Sequence, residues 1–393
     1  MKEHWLLDSE IAYLNHGSFG ATPIAVLAKQ DEYRTQLERE PIRFMIRELE
    51  PMLDAARVQL AEFLGADPAG LAFVPNATAG VNAVLRSLDF DQHDEIVVST
   101  HEYNATRNVA EFAAQLSGAR VVIADVPFPI ASPDEVVERV LEKLTNRTRL
   151  VVLDHITSQT ALILPVERIV REVQSRGVDV LIDGAHAPGM LPLDLRAIDA
   201  AYYTANLHKW VCAPKGAGFL YVRENRRASI RPTSISHGAN STRTDRSRYH
   251  LEFDWTGTFD PSPWLCVPDS LQFLPTLVEG GWPEIMRRNR ALALRARDII
   301  SSRLGIAPQA PDEMIGSMVS FPLPDGRSLA TSALNPDPFQ DAMFFEFKIE
   351  VPVMPWPNPP KRLLRISAQL YNDESEYEKL GDAATLVLQR ERS

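Results

Sequence analysis

Between residues 94 and 222, short runs rich in valine, isoleucine and leucine alternate with stretches whose apolar residues fall at helical spacing. Parallel strands must be joined by crossovers, usually helices, so this alternation predicts a largely parallel sheet covered by helices. The expected strands are 95–99, 120–124, 150–155, 178–183, 200–204 and 218–222. Between them, PDEVVERVLEKLT (133–145) predicts a helix capped by Ser132 with Pro133 in its first turn, and 166–176 predicts another that stops at Gly177. A long polar helix over 283–304 leads towards a second, smaller unit of mixed strands and helices. Two segments read as loops: VPVMPWPNPP (351–360), too rich in proline for a sheet interior, and the polar, basic stretch 234–248.

A chain of 393 residues and 43.9 kDa exceeds one small domain and predicts two. With 41 Lys and Arg against 52 Asp and Glu the net charge is −11. No basic run interrupts it, which argues against binding nucleic acid or an anionic membrane and points to a small-molecule partner. Cys212 and Cys266 are too few for a disulfide framework or a multi-thiolate metal site, so no metal is expected. The start, MKEHWLLDSE, lacks the apolar run of a signal peptide and no stretch reaches the length of a membrane span, so the expected location is the cytoplasm.

Three stretches carry chemistry. VLIDGAHAP (180–188) puts Asp183 at the carboxyl end of a buried parallel strand, where open α/β sheets bind ligands. A carboxylate there calls for a cationic partner, or it caps the next helix. In YYTANLHKWVCAPKGAG (202–218), Lys209 follows a second strand end, and a lysine beside a carboxylate-bearing site suits Schiff-base chemistry. A surface position is the commoner fate of a lysine, and Lys215 competes for the same assignment. FVPNATAGVNAVLRSL (73–88) passes from a short strand into a helix through Asn76, Ala77 and Thr78, which offers either a phosphate cradle or an ordinary helix cap.

Taken with YLNHGSFGATP (13–23), HEYNATR (101–107), DHITSQTALILP (154–165), HKW (208–210), PKGAGFLYV (214–222), WTGT (255–258) and LRISAQLYN (364–372), these units resemble the class V aminotransferase family of fold-type I pyridoxal-phosphate enzymes, its epimerases in particular. The resemblance implies a three-layer α/β fold. A mostly parallel sheet would lie in a large pyridoxal-phosphate-binding domain (16–265), with a smaller α+β domain formed by 1–15 and 266–393. It implies that Lys209 carries pyridoxal 5'-phosphate as a Schiff base and that Asp183 pairs with the pyridine nitrogen, so that the ring accepts electrons from the substrate's α-carbon. His186 would contact the ring oxygen, with Ser158 near it, and Tyr103 would stack on the ring. Ala77, Thr78, Asn206 and His208 would hold the phosphate, and Gly257 and Thr258 would reach the phosphate of a neighbouring subunit, making a homodimer. Arg365 would grip the α-carboxylate of an amino-acid substrate, with Asn15, His16 and Gly17 bordering the pocket. Ala161 stands where the family usually has glycine.

Loss of an α-proton to the lysine is shared by racemisation, transamination and β-elimination. The epimerase-like pattern favours inversion at the α-carbon; a C–S lyase acting on a cysteine conjugate and an aminotransferase are the alternatives. A desulfurase needs a mobile cysteine, and neither Cys212 nor Cys266 is placed for that role. The non-enzyme alternative, a nucleotide-binding α/β module, lacks both Gly-x-Gly-x-x-Gly and Gly-x-x-x-x-Gly-Lys-Ser/Thr.

Overall fold

The alternating pattern folds into a seven-stranded sheet. The computed structural model, which describes residues 1–326 and 335–392, builds it from β1 (Leu71–Val74), β2 (Glu95–Ser99), β3 (Arg120–Ala124), β4 (Thr148–Asp154), β5 (Asp179–Asp183), β6 (Tyr202–Asn206) and β7 (Gly218–Val222). Their order is β3-β2-β4-β5-β6-β7-β1. Strands β2 to β6 are mutually parallel, and β7 runs antiparallel to both of its neighbours.

Because successive side chains point to opposite faces, a strand covered on both sides must be apolar throughout. Val97, Val151, Leu153, Val180 and Ile182 pack on one face, and Ile96, Val98, Leu150, Val152 and Leu181 on the other. The flanking helices are α1 (Leu49–Leu64), α2 (Ala77–Leu85), α3 (Asn104–Ser117), α4 (Pro133–Leu141) and α5 (Val166–Gln174). Helices α1, α4 and α5 cover the first face, and α2 and α3 the second, which gives three layers. Helix α4 begins as its sequence predicts, with the Asp134 amide donating to Ser132 Oγ at 3.0 Å. Gly177 takes a left-handed φ of +78° just beyond α5.

After the long helix α6 (Gly281–Leu304), the chain adds β8 (Met318–Leu323), β9 (Val353–Pro355), β10 (Arg362–Ser367) and α7 (Glu374–Arg392). The three strands form an antiparallel sheet in the order β9-β10-β8. Strand β9 corrects the reading of 351–360 as loop throughout: at a sheet edge, proline costs no ladder bond on the open side. The 234–248 segment is a loop with one helical turn, His237–Asn240, fastened to the large domain by Arg243–Glu50 and Arg246–Asp54 contacts, each at 2.7 Å. At the amino terminus Ala12 and Tyr13 pair in parallel with Ile349 and Glu350, and the Ser367 amide donates to the Leu14 carbonyl at 2.8 Å. No helix among the described residues is long and apolar enough to cross a membrane.

Candidate active site

The parallel strands deliver their last residues to one edge of the sheet. In the ladder Asp154 lies opposite Asp183, and Asp183 opposite Thr204, two residues before Asn206 closes β6 and the chain turns to Lys209. Asp183 is buried; it accepts from Thr106 Oγ1 at 2.9 Å and from the Ala185 amide at 3.0 Å. Burial raises its pKa, while those two bonds and the Lys209 charge oppose the rise. Lys209 Nζ lies 3.1 Å from His186 Nε2. Burial, aided by the nearby Arg365 charge, pulls the lysine down to about 7, so at neutral pH a large fraction of it is free amine. Burial also drives His186 well below the usual range, so its ring is neutral, and its Nδ1 is buried without a protein partner. Lys215 is bound instead through Nζ to the Gly20 carbonyl at 3.0 Å.

Behind Asp183 stand two carboxyl groups that the sequence reading missed. Glu102, Asp154 and Asp183 bring carboxylate oxygens within 4.8 Å of one another, all buried. Both oxygens of Glu102 and Oδ2 of Asp154 lack hydrogen-bond partners. Burial first, then repulsion from the neighbouring carboxylates, holds Glu102 and Asp154 well above the ordinary range, so of the three Asp183 gives up its proton first. A carboxyl whose pKa is raised on folding stabilises the fold fully below its unfolded value, and that contribution is lost as pH rises through the folded one. Glu102→Gln, which mimics the protonated acid, is therefore expected to melt about 2–4 °C above the parent at pH 8 and level with it at pH 4, measured by scanning calorimetry.

Arg365 reaches this edge from β10. It is 1% exposed, and among the described residues its bonds go only to neutral groups: Nη1 to the Ser158 carbonyl at 2.7 Å and to Ser158 Oγ at 3.3 Å, and Nη2 to Ser18 Oγ at 2.9 Å. Burial lowers it to about 10, and its Nε has no partner. A buried guanidinium without a carboxylate is a strong anion site. Ser158, expected near the ring oxygen, is bonded to this arginine. Asn15 accepts from Ser18 Oγ at 2.5 Å and donates to Glu350 at 3.1 Å, and the Gly17 amide donates to Ser367 Oγ at 3.0 Å. His16 is fully buried and bonded at both ring nitrogens, beneath the lysine turn rather than along a pocket wall.

On the opposite flank, Asn76 caps α2 through the Ala79 amide at 2.9 Å, and the Ala77 amide donates to Asn206 Oδ1 at 2.9 Å. Two residues expected to meet the phosphate are thus bonded to each other, at the amino end of a helix whose second residue is Thr78. His208 Nδ1 is 3.2 Å from the Ala217 carbonyl. Tyr103 precedes α3 and is 42% exposed; burial of its hydroxyl end, and then the Asp183 charge, raise its pKa. Gly257 takes φ +120° in a loop where an added Cβ would meet nothing within 4 Å, and among the described residues no hydrogen bond joins Gly257 or Thr258 to the Lys209 group. Cys212 and Cys266 are buried, which pushes both thiols up to about 12 and keeps them from acting as thiolates. Ala161 adopts φ +59°, the conformation that makes glycine the easier residue there.

The family model described as aminotransferase class-V matches residues 12–334. An isopenicillin N epimerase from Amycolatopsis lactamdurans is 36% identical, the alignment covering 97% of this chain and 96% of that protein. A probable chloroplastic L-cysteine desulfhydrase of Arabidopsis thaliana is 31% identical over 96% of this chain and 82% of its own. Among solved structures, a cystine C–S lyase in complex with its product cysteine persulfide superposes with a TM-score of 0.81 at 23% identity, covering 96% of this chain and 98% of the other, which is a likeness of fold. The chain belongs to the class V aminotransferase family, and pyridoxal phosphate is its cofactor.

Proposed function

We propose that this enzyme acts at the α-carbon of an amino acid and inverts it, an epimerase-type reaction. The observation that carries the amino-acid part of the reading is Arg365, a buried cation bonded only to neutral groups near a buried lysine and lacking the anion that its site demands. The residues present fit the cofactor: a lysine that is partly free amine, a carboxyl that ionises first in a buried trio, and an unpartnered imidazole nitrogen. When bound, pyridoxal phosphate supplies an electron sink that makes an α-proton acidic.

Each residue then has a task. Arg365 binds and orients the α-carboxylate, a bidentate grip that lysine could not reproduce. Asp183 holds a proton on the pyridine nitrogen, and Glu102 and Asp154, which give up their own protons later, leave it the charge to do so. Lys209 Nζ takes the α-proton from one face, and inversion requires a proton to be returned to the opposite face. The imidazole nitrogen of His186 that faces Lys209 accepts from the amine, which leaves the proton on Nδ1 for the ring oxygen. Tyr103 covers the ring, and Thr78, Asn206, His208 and the amino end of α2 take the phosphate.

Inversion is favoured by the epimerase relatives at 36% and 34% identity, each spanning nearly the whole chain. C–S elimination is the second reading, favoured by desulfhydrase relatives at 31% and 30%. Neither needs a protein thiolate, in keeping with the two buried thiols. Incubation with amino acids and cysteine conjugates in deuterated water separates them. Solvent deuterium at the α-carbon with inversion and no keto acid is the expected result; pyruvate with a released thiol would establish the lyase instead, and a keto acid with a pyridoxamine spectrum the aminotransferase.

The same reading divides the chain into a cofactor-binding domain of 16–265 and a smaller one of 1–15 and 266–393, supported by the seven-stranded sheet lying within 71–222 and the three-stranded one within 318–367. It places the enzyme in the cytoplasm as a homodimer in which Gly257 and Thr258 reach the neighbour's phosphate, supported by a loop that stands clear of its own chain at Gly257.

A further inference from the structure

We infer that His16 and Tyr371 are positioning residues that hold Lys209 through its backbone and couple it to Arg365. The inference rests on the reading of Lys209 as the reactive amine. The Lys209 carbonyl, which can only accept, lies 3.0 Å from His16 Nε2, nearer than the Gln369 amide nitrogen at 3.3 Å, so Nε2 carries the ring proton and donates it to the carbonyl. His16 Nδ1 then presents a lone pair, and Tyr371 Oη, at 2.7 Å, must be the donor to it. Nδ1 faces Tyr371 and Nε2 the Lys209 carbonyl, with Gln369 Nε2 at 3.3 Å and Cys212 Sγ at 3.7 Å also beside Nε2, and the residue has no solvent exposure.

The link leads back to the carboxylate site along two routes. Tyr371 lies just beyond β10, the strand that carries Arg365. Between them, Gln369 Oε1 accepts from Asn289 of α6 and from the Leu370 amide, each at 2.8 Å. The second route is the turn that contains His16: Arg365 donates to Ser18 Oγ, and Ser18 to Asn15 Oδ1.

This turn has no slack. A Cβ on Gly17 would come within 2.4 Å of Met318 Sδ, and one on Gly20, at φ +69°, within 2.0 Å of the His208 carbonyl oxygen and 2.9 Å of Lys209 Cα. A carboxylate that draws on Arg365 therefore pulls on a rigid turn whose other end grips the lysine. The charged and titratable groups around Lys209 are His186, Arg365, Asp183, Asp154, His208 and His16; around His16 they are Tyr371, Cys212, Lys215, His186 and Lys209 itself.

The test removes one donor. In the cofactor-loaded enzyme, the pH midpoint of the visible absorbance reports the state of the Lys209 nitrogen, and saturating propionate, an unreactive carboxylate, should raise it because an anion favours the protonated form. In Tyr371→Phe we expect that rise to fall by at least half, with kcat about tenfold lower and KM within about threefold. His16→Gln, which keeps a donor for the Lys209 carbonyl but loses Tyr371, should behave alike and serves if Tyr371→Phe does not fold. A folded, coloured variant with the parental propionate response and kcat overturns the proposal, even if its melting temperature falls, since a merely structural role predicts that pattern. A parent enzyme with no visible band overturns the cofactor reading, and this inference with it.

Discussion

Lys209→Ala is expected to abolish the visible absorbance of the purified enzyme and to lower turnover by about 10⁴-fold or more, because one side chain supplies both the tether and the proton transfer. The environment gives the reason. An exposed lysine near its ordinary pKa is almost wholly ammonium at neutral pH, a poor nucleophile and no base. At this strand end burial has brought the group to about 7. Lys215→Ala provides the contrast: that lysine is spent on the Gly20 carbonyl, so the band should survive its loss. Absorbance and visible circular dichroism of the two variants, side by side, decide between the lysines; a band that persists without Lys209 would remove the basis of the mechanism.

Arg365→Met should separate function from stability. The guanidinium is 1% exposed and has no ionic partner, so the folded protein bears its desolvation without a compensating charge. A methionine of similar reach removes that cost and fills much of the space. We expect a melting temperature equal to or above the parent's, together with a fall in kcat/KM of about 10³-fold towards α-amino carboxylates, the loss typical when a buried charge pair cannot form. Thermal melts and steady-state kinetics on one preparation check both halves. A variant that is destabilised yet still active would mean that the arginine serves the fold instead.

How far the sequence disclosed this site depended on whether a residue's neighbours lay nearby in the chain. Asp183 ends an apolar run and Lys209 lies three residues beyond the end of the next strand, and a parallel sheet gathers such ends at one edge, so both are legible from local pattern. Asp154 ends LVVLD in the same manner, a signal present but passed over, while Glu102 comes from a loop with no periodicity to mark it. Strand β6 runs two residues beyond the expected end at 204, because its ladder with β7 continues to Asn206 opposite Gly218. Arg365 was legible only through resemblance, and its bond to Ser158 joins segments separated by 207 positions, which no window of sequence can reveal. The edge strand at 353–355 was hidden by its prolines.

The pairing of Ala12 and Tyr13 with Ile349 and Glu350 bears on how the protein is made. The ribosome releases the segment that will frame the substrate early, and its mate across 335 residues, Glu350, only near the end. Until then Ala12 and Tyr13 lack the strand with which they pair, so this long-range contact can form only after most of the chain has been made. Fusing a bulky tag to the first residue would burden that last step, whereas the far end of α7 leaves it free.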